Sequence, residues 1–441
     1  MAQPDRTLIS SPGAIVECLQ QHEARLGAPE RVYLGFSGGL DSTLLLSVLA
    51  GHADWRRRLT AVHVNHGLHP DSAEWAEQCR AVAGESGVDF KRLDVEVDTA
   101  SGDSVEAAAR HARYAALGAL LDTGDWLFTA HHLDDQIETL LLNLLRGSGP
   151  DGLAAMPAAR RLGAGWLLRP LLGLTRSTIE ARGRSLGLRW LEDPGNAEPR
   201  FDRNYLRREV IPVLKARWPD LEVRLLGSID RAQEASGLLR ELGAADLARL
   251  GGPAHLDVLE LRKLSAARRR NLVRQALREL GLPLPPLSVM RSIEADVIDA
   301  ADDRSPHAAW PGAEVRRYRA RLFLMPPLAE PPSGTLPVQG ACVTLPAGLG
   351  TLAIDAGERG VEGLSVGWRH GGESIRLHPA GPSRKLKKLL QDAGIVPWMR
   401  NRMPLLYRHG ELVAVADRFA AQTADGKPVL RVEWSGHPPL S

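Results

Sequence analysis

A pair of histidines followed by acidic residues is the clearest candidate for chemistry in the sequence. His131 and His132 precede Asp134, Asp135 and Glu138, so three carboxylates fall within about one helical turn. The helix dipole favours acidic residues near a helix N-terminus, and this alternative accounts for Asp134 as a capping residue. It does not account for Glu138, which follows two other acids so closely. We therefore interpret the cluster as a site that binds a cation.

A second candidate is the loop of residues 37–42, SGGLDS, which lies between a strand-like run and a leucine-rich stretch. Its glycines let the backbone approach an anion closely, and a following helix N-terminus would present free N–H groups. The serine hydroxyls add donors, and Asp41 could hold Mg²⁺ against pyrophosphate oxygens. The loop contains no lysine, unlike the loops of enzymes that transfer a γ-phosphate. The alternative is a tight strand-to-helix turn with Ser42 as the N-cap.

Three histidines, His63, His66 and His69, follow the second strand-like run. A zinc site is one interpretation of them. A glycine and a proline interrupt the segment, however, and no carboxylate or cysteine completes an obvious ligand set. We favour a loop that contacts a nucleotide through Asn65 and His66.

Arginines supply positive charge for a phosphate site. Glu106, Arg110 and Arg113 share one face of a predicted helix, where a solvated ion-pair face is the alternative. We assign Arg113 the role of stabilising the negative charge of a phosphate.

Further along the chain, Asn196 precedes the basic segment Arg203–Arg208. That segment indicates binding of phosphate or a polynucleotide, or else the basic start of a helix before a proline.

The elements that would carry these residues alternate between strand and helix from about residue 31 to residue 146. Strands alternating with helices of ~10–15 residues predict parallel crossover units, and hence a doubly wound α/β domain. In such a sheet, ligands bind beyond the carboxyl ends of the strands, where all three motifs fall. Gly147–Gly152 also matches a dinucleotide-binding pattern. Because it follows a helix and contains a proline, we interpret it as a flexible loop.

Two further domains are predicted after this one. We place an α/β catalytic domain with a parallel sheet at residues 1–215, an all-α helical domain at 216–330 and a small α+β domain at 340–441. Residues 220–280 are rich in Leu, Ala and Arg at helical spacing, whereas Glu314–Met325 alternates like a strand pair. Pro326–Gly350 is dense in proline and glycine and indicates a linker. One clear helix is expected over Ser383–Ala393.

Composition excludes several classes of protein. Lys plus Arg number 55 and Asp plus Glu 53 in 441 residues, a net charge of +2, which argues against uniform coating of a nucleic acid. Three widely spaced cysteines argue against a disulfide framework or a cysteine-based zinc cage. The first residues do not resemble a signal peptide, and the apolar runs fall short of the ~20 residues of a membrane span. We expect a cytoplasmic protein without a membrane partner.

Together the motifs resemble a known family. The loop SGGLDS is similar to the pyrophosphatase loop of the N-type ATP pyrophosphatases, the PP-loop superfamily. Further segments occur in the order found in tRNA(Ile)-lysidine synthetases: HVNHGLHPDS, EAAARHARY, HHLDDQIETLLLNLLRGSGPDGL, RPLL and RNYLRREVIPVL. The terminal domain of that family is similar to GGESIRLHPAGPSRKLKKLLQDAGIVPWMRNRMPLLY. Gly195 departs from the serine usual in the family, which puts a hydroxyl contact there in doubt.

The resemblance implies a two-step reaction that uses ATP and Mg²⁺. ATP would adenylate the 2-keto oxygen of the wobble cytidine in a CAU-anticodon tRNA(Ile), and the ε-amine of free L-lysine would then attack C2 and expel AMP. The residues implied to bind ATP are Ser37, Gly38, Gly39, Leu40, Asp41, Ser42, Asn65 and His66. The residues implied to be catalytic are Asp41, Arg113, His131 and Asp135.

Individual roles follow from the same resemblance. Asp41 would bind Mg²⁺, and Arg113 would support the adenylation transition state. Asp135 and Glu138 would hold the α-ammonium of lysine, with His131 as an orienting group or proton acceptor.

An alternative PP-loop activity is thiolation of tRNA, which normally needs paired cysteines near the loop. A catalytically silent binder is the other alternative, and it would gain little from acids facing an RNA phosphate.

Contacts with tRNA are expected from polar and basic side chains in several regions, with a solvated helix face as the alternative for each. The residues assigned are Asn196, Arg203, Asn204 and Arg207 near the active site, and Arg384, Lys387 and Lys388 in the terminal domain. The helical region adds Arg268, Arg269, Arg270 and Arg274, and the terminal domain also adds Lys385. The sequence does not set the oligomeric state, and a homodimer is left open.

Overall fold

The computed structural model of the chain describes residues 12–67, 69–97, 105–191, 202–301, 306–357 and 360–440. The chain divides near Leu238 into two compact units, each of which is described by itself. Gly195 and Asn196, singled out from the sequence, lie outside the described residues, as does the side chain of Glu106. In the described ranges no helix combines the length and the apolarity that crossing a bilayer requires.

A six-stranded sheet forms the centre of the first unit. Its strands are β1 (Val32–Gly35), β2 (Leu59–Asn65), β3 (Asp89–Asp94), β4 (Trp126–Phe128), β5 (Ala159–Leu162) and β6 (Gly165–Leu168). Their order is β3-β2-β1-β4-β6-β5, and neighbouring strands are parallel except for β5 and β6. The predicted parallel sheet is confirmed, and the β5–β6 hairpin adds an antiparallel edge to it.

Both faces of this sheet are covered, because successive side chains of a strand point to opposite faces. In β1, Val32 and Leu34 belong to a buried core with Leu19, whereas Tyr33 packs with Leu117 in a second core. Helices therefore pack on both sides of the strands, as a doubly wound arrangement requires.

The helices of the first unit include α1 (Pro12–Leu26), α2 (Leu40–Ala50), α3 (Ala53–Arg56), α4 (Ser72–Glu85), α5 (Val105–Ala119), α6 (Leu133–Leu145), α7 (Pro150–Leu153), α8 (Arg176–Ser185), α9 (Asp202–Tyr205) and α10 (Ile211–Arg217), with a π-helical turn at Leu206–Val210. The long helix α11 (Leu221–Leu250) contains the boundary between the units. Helices α2 and α6 follow β1 and β4, which are neighbours in the sheet. Their N-termini consequently start from the same edge of the sheet.

The second unit begins with a helical region that also contains a sheet. Its helices are α12 (Val258–Lys263), α13 (Ala266–Glu279) and α14 (Leu287–Ser292), followed by a π-helical turn at Ile293–Ile298. Its strands are β7 (His255–Asp257), β8 (His307–Trp310), β9 (Ala313–Tyr318) and β10 (Arg321–Met325), antiparallel in the order β7-β10-β9-β8. The predicted helices and the strand pair β9–β10 are confirmed. The sequence pattern did not indicate β7, because three residues are too few to show a period.

Strand β10 contributes to two cores, which explains its unbroken apolar sequence. Leu322 and Leu324 pack with the helices of the middle region, and Phe323 and Met325 pack with the C-terminal sheets. Alternation along a single strand thus places apolar groups on both faces of the β7–β10 sheet.

The described residues of the C-terminal part form three small sheets and one helix, α15 (Leu386–Asp392). The strands are β11 (Thr335–Pro337), β12 (Cys342–Thr344), β13 (Thr351–Asp355), β14 (Leu364–Gly367), β15 (Ser374–Ile375), β16 (Arg384–Lys385), β17 (Leu405–Arg408), β18 (Glu411–Val415), β19 (Phe419–Ala420) and β20 (Arg431–Ser435). They pair as β11-β14-β17-β18-β19, β12-β13-β20 and β15-β16. The interpretation of Pro326–Gly350 as a linker is wrong where β11 and β12 form, because pairing with β14 and β13 outweighs the local proline and glycine content.

Candidate active site

The loop 37–42 joins β1 to α2 and is held in shape by its own hydroxyl groups. The Ser42 hydroxyl donates to the Gly39 carbonyl at 3.0 Å and lies 3.2 Å from the Ser37 hydroxyl. Thr43 donates to the same Gly39 carbonyl at 3.0 Å. Ser37 is exposed, whereas Leu40 and Ser42 are buried. The loop is thus pre-formed, with the first N–H groups of α2 directed to the carboxyl edge of the sheet.

Gly38 needs to be glycine for two reasons. Its φ is +79°, a region that residues with a Cβ rarely adopt. A Cβ built on it would also lie 2.7 Å from Leu191 Cδ1 and 2.8 Å from Cys79 Sγ. Gly39, by contrast, has a φ of −70° and would meet only the Ser37 hydroxyl, at 3.5 Å. The two adjacent glycines therefore differ in what a methyl group would disturb.

We expect Gly38→Ala to lower the local free energy of unfolding of the loop and α2 by about 2 kcal/mol, because strain and overpacking act together. Hydrogen exchange of the α2 amides, followed by mass spectrometry, measures this opening energy. Gly39→Ala is the matched control and is expected to change it by less than about 1 kcal/mol. Equal effects of the two substitutions would contradict the argument.

Asp41 faces a cation that the sequence analysis missed. Its Oδ1 lies 2.5 Å from Nη1 of Arg176, the first residue of α8 and 135 positions away in the chain. Its Oδ2 lies 3.9 Å from Nε2 of His132. The side chain of Asp41 is 27% exposed, so one carboxylate is available at the loop. No local pattern marks Arg176 beyond Thr175, whose hydroxyl caps α8 by accepting from the Thr178 amide.

A magnesium ion fits this loop only together with phosphates. Across the described residues there is no group of three or more His, Cys, Asp or Glu side chains arranged to hold a metal. Mg²⁺ commonly binds one or two carboxylates and takes its other ligands from substrate phosphates and water. Asp41 by itself can supply the one carboxylate ligand that such an ion needs.

The acidic cluster lies at the start of α6, around the buried ring of His132. Asp135 Oδ2 accepts from the His132 amide at 3.0 Å and lies 3.5 Å from Nε2 of the ring. Asp134 Oδ2 lies 3.5 Å from the ring Nδ1 and accepts from the Arg176 amide at 2.7 Å. Burial lowers the pKa of His132, but the carboxylates around it, Asp134 foremost, raise it above its ordinary value overall. His132 therefore links Asp41 of the loop to Asp135 of the cluster.

Glu138 is fully buried and paired with two arginines. Arg207 donates from Nε to Oε1 at 2.6 Å and from Nη2 to Oε2 at 3.0 Å, while Arg203 Nε lies 3.3 Å from Oε2. Arg207 Nη2 also lies 3.5 Å from Asp135 Oδ1. Burial raises the pKa of Glu138, and the bonds from Arg207 oppose that shift. The structure thus brings together residues that the sequence analysis assigned separately to lysine and to tRNA.

Asp135 carries a charge at neutral pH, whereas His131 does not. Burial raises the pKa of Asp135, but the charge of His132, the bond from the His132 amide and the charge of Arg203 outweigh it and hold the pKa below its usual value. Asp135 is therefore ionised at neutral pH. Burial lowers the pKa of His131 to about 3, with Arg169 and Arg110 adding to the shift. His131, whose Nδ1 lies 2.9 Å from the Thr129 hydroxyl, is therefore neutral.

Arg113 is held by His66. Its Nε and Nη2 lie 3.2 and 3.1 Å from the ring Nε2. Burial lowers the pKa of His66 to about 4, and the charge of Arg113 adds to this, so the ring is neutral and accepts from the guanidinium. Asn65 donates to Asp94 Oδ1 at 2.8 Å and accepts from the Gly67 amide at 3.1 Å, so both ends of its side chain are used within the fold.

The three histidines near β2 have separate partners. His63 Nδ1 lies 3.0 Å from the Phe36 carbonyl, and His69 stacks on Trp75 with ring centroids 4.5 Å apart. His66 binds Arg113, as described above. These contacts give each ring a role within the fold.

The basic candidates of the second unit fall into two groups. Arg384, Lys387 and Lys388 are exposed on β16 and α15, where only Arg384 of the three has a described acidic neighbour, Asp392 at 3.7 Å. On α13, acidic partners lie 2.7–3.0 Å from three arginines: Asp246 from Arg268, Asp299 from Arg269 and Glu294 from Arg270. The charge of these three arginines is thus compensated within the unit. Asn204, near the first-unit cluster, is buried.

Family models match three parts of the chain. They are the PP-loop domain at residues 15–214, the TilS substrate binding domain at 256–323 and the TilS substrate C-terminal domain at 364–434. The first of these matches contains the loop 37–42, the acidic cluster and Arg176.

Curated relatives match over nearly the full length. The tRNA(Ile)-lysidine synthase of Alkalilimnicola ehrlichii is 44% identical over 440 residues, covering 97% of this chain and 99% of that protein. The enzyme of the same name from Pseudomonas aeruginosa is 43% identical over 87% of this chain and 89% of its own length. That from Methylococcus capsulatus is 40% identical over 92% and 93%. The chain therefore belongs to the tRNA(Ile)-lysidine synthase family, the lysidine-forming ligases built on an ATP-binding PP-loop domain.

Proposed function

We propose that this protein joins lysine to C2 of the wobble cytidine of a CAU-anticodon tRNA(Ile) at the expense of ATP, in the cytoplasm. The observation that carries the proposal is the position of His132 between Asp41 of the phosphate loop, at 3.9 Å, and Asp135 of the cation cluster, at 3.5 Å. Bound ATP and bound lysine would therefore be neighbours at one edge of the sheet.

The reaction we propose has two steps. Cytidine O2 attacks the α-phosphorus of ATP, the bond to the β-phosphate oxygen breaks, and pyrophosphate leaves. The ε-amine of lysine, in its neutral form, then attacks C2, the C2–O2 bond breaks, AMP leaves with that oxygen, and the proton that the attached nitrogen sheds passes to water. Adenylation is needed because a cytosine oxygen is a poor leaving group, whereas AMP is a good one.

The phosphate loop would bind the triphosphate of ATP. Backbone N–H groups of α2, with the hydroxyl of Ser37, would donate to phosphate oxygens, and the Ser42 hydroxyl would join them by exchanging the Gly39 carbonyl for phosphate. Mg²⁺, which Asp41 would hold, supplies neutralisation of charge on the departing pyrophosphate. Arg113 would contact the α-phosphate, and the neutral ring of His66 would fix the plane of its guanidinium.

The acidic cluster would bind the α-ammonium of lysine. Asp135 is ionised and 14% exposed, so it would be the direct ligand. Glu138 would add a second negative charge beside Asp135, and Arg207 contacts both carboxylates. His131 has a pKa of about 3, too low for an effective base near neutral pH, and we therefore favour an orienting role over proton transfer.

Binding of tRNA would involve the exposed lysines of α15. Lys387→Glu with Lys388→Glu is expected to weaken tRNA affinity about 10-fold at 0.1 M salt and to reduce the slope of log K against log salt by about 2, because two phosphate contacts are lost. The control is Lys427→Glu with Arg431→Glu, which makes the same charge change elsewhere in the C-terminal part, at exposed positions. Filter binding between about 0.05 and 0.3 M salt measures both quantities. An unchanged slope would remove the two lysines from the tRNA surface.

A pyrophosphate-release assay tests the proposed function. The enzyme is incubated with ATP, lysine and either CAU-anticodon isoleucine tRNA or methionine tRNA. Release that needs the isoleucine tRNA, with lysine incorporated into it, is the expected result. Release with a sulfur donor in place of lysine would instead indicate thiolation, which the structure disfavours because Cys79, the thiol beneath Gly38, is buried and has its pKa raised to about 12. Absence of release with every tRNA would indicate a binder.

A further inference from the structure

Arg176, the side chain that is paired with Asp41, has no part in the chemistry described so far. We propose that Arg176 is a pyrophosphate-binding residue, which leaves Asp41 when ATP binds and contacts the β- and γ-phosphates. The inference rests on the proposed function, since it takes pyrophosphate to be the leaving group of ATP.

The position of Arg176 is fixed relative to the loop. Its backbone amide donates to Asp134, and it begins α8, which packs on α2. That packing is close, because a Cβ on Gly183 of α8 would lie 2.6 Å from Leu40 Cδ1 of the loop. The Cα of Arg176 therefore lies beside the phosphate loop whatever its side chain contacts.

The side chain of Arg176 is free to change partners. It is 45% exposed, and its described side-chain contact is the single bond from Nη1 to Asp41. A guanidinium binds phosphate oxygens through parallel N–H groups at least as well as it binds a carboxylate. Exchange of Asp41 for phosphate would also release an oxygen of Asp41 to act on Mg²⁺.

The local charge balance favours a cation at the loop in addition to Lys215, which lies 3.6 Å from Asp134. Asp41, Asp134 and Asp135 surround His132 within 3.9 Å, and all three would repel a bound pyrophosphate. The loop 37–42 carries no lysine or arginine of its own. Arg176, the cation bonded to the loop carboxylate, is placed to offset that repulsion where the leaving group gains charge.

Calorimetric titration of the full-length protein with inorganic pyrophosphate, and separately with AMP, tests the proposal. Arg176→Gln is expected to weaken pyrophosphate binding roughly 10- to 30-fold, the effect of one charged hydrogen bond, and to change AMP binding by less than about twofold. Arg176→Lys keeps a cation without the planar fork and should give an intermediate loss. Arg184→Gln on the same helix, which removes an exposed side chain paired with Glu180, should leave both affinities unchanged.

Two outcomes would overturn the inference. The first is pyrophosphate affinity in Arg176→Gln equal to that of Arg184→Gln. The second is an equal loss of pyrophosphate and AMP affinity in both Arg176 variants, because that result means that the loop has lost its shape. Failure of the proposed function would look different: the unmodified enzyme would release no pyrophosphate from ATP in the presence of lysine and tRNA, whatever the Arg176 variants bind.

Discussion

Asp41→Asn is expected to slow pyrophosphate release roughly 100- to 1,000-fold, the range seen when one group that stabilises transition-state charge is removed. Asn keeps the size of the side chain and can still accept from Arg176, so the fold of the loop should persist. What is lost is the negative charge that would hold Mg²⁺ at the departing pyrophosphate. The Mg²⁺ concentration that gives half the maximal rate should rise as well.

The matched control is Asp54→Asn, at an exposed carboxylate in the same unit that pairs with Arg57. We expect that variant to keep the rate of the unmodified enzyme within about twofold, because exposed ion pairs contribute little to stability. The measurement is single-turnover release of pyrophosphate at saturating lysine and tRNA. If Asp41→Asn kept more than half of the rate at every Mg²⁺ concentration, Asp41 would not be a metal ligand of the reaction.

The place of the site could be predicted from the sequence because its motifs are local. The loop 37–42 and the acidic cluster each follow a short strand, and β1 and β4 are neighbours in the sheet. Parallel pairing brings the carboxyl ends of such strands to one edge. Once the α/β alternation is recognised, the two motifs are expected to lie close together, and the contacts of His132 with Asp41 and Asp135 confirm this.

The partners of the charged groups could not be predicted in the same way. Arg176 reaches Asp41 across 135 positions, and Arg207 reaches Glu138 across 69. A charge pattern in the sequence reports only neighbours within a helical turn, so the arginines of residues 203–208 suggested binding of phosphate or a polynucleotide, or the basic start of a helix. In the structure Arg203 and Arg207 face Glu138, which is buried and needs compensation of its charge.

The same limit applies to the second unit. From the sequence, Arg268 and Arg269 of α13 suggested a basic face. Their acidic partners, Asp246 of α11 and Asp299 after the π-helical turn, come from other elements and could not be recognised from the local pattern. The strand β7 and the strands between Pro326 and Gly350 were missed because each pairs with a distant segment. Helices, whose hydrogen bonds are local, were predicted more completely than strands.

Asp135→Asn is expected to raise the lysine KM roughly 100-fold, near the upper range for a hydrogen bond between charged groups, and to leave the ATP KM within about twofold. Asn at this position can still accept from the His132 amide, so the start of α6 keeps its cap. The substitution therefore removes the charge that would attract the α-ammonium without removing the structural bond. Steady-state pyrophosphate release at varied lysine and varied ATP separates the two constants.

Asp134→Asn, in the same helical turn, provides the comparison that makes this result specific. Asp134 accepts from the Arg176 amide and lies 3.6 Å from Lys215, so it faces the phosphate side of the cluster. We expect it to leave the lysine KM within about threefold, because its carboxylate is already satisfied by those groups. Equal increases of the lysine KM in the two variants would mean that lysine responds to the total charge of the cluster and not to a bond with Asp135. An unchanged lysine KM in Asp135→Asn would place the α-ammonium elsewhere, with Glu138 and its two arginines as the next site to test.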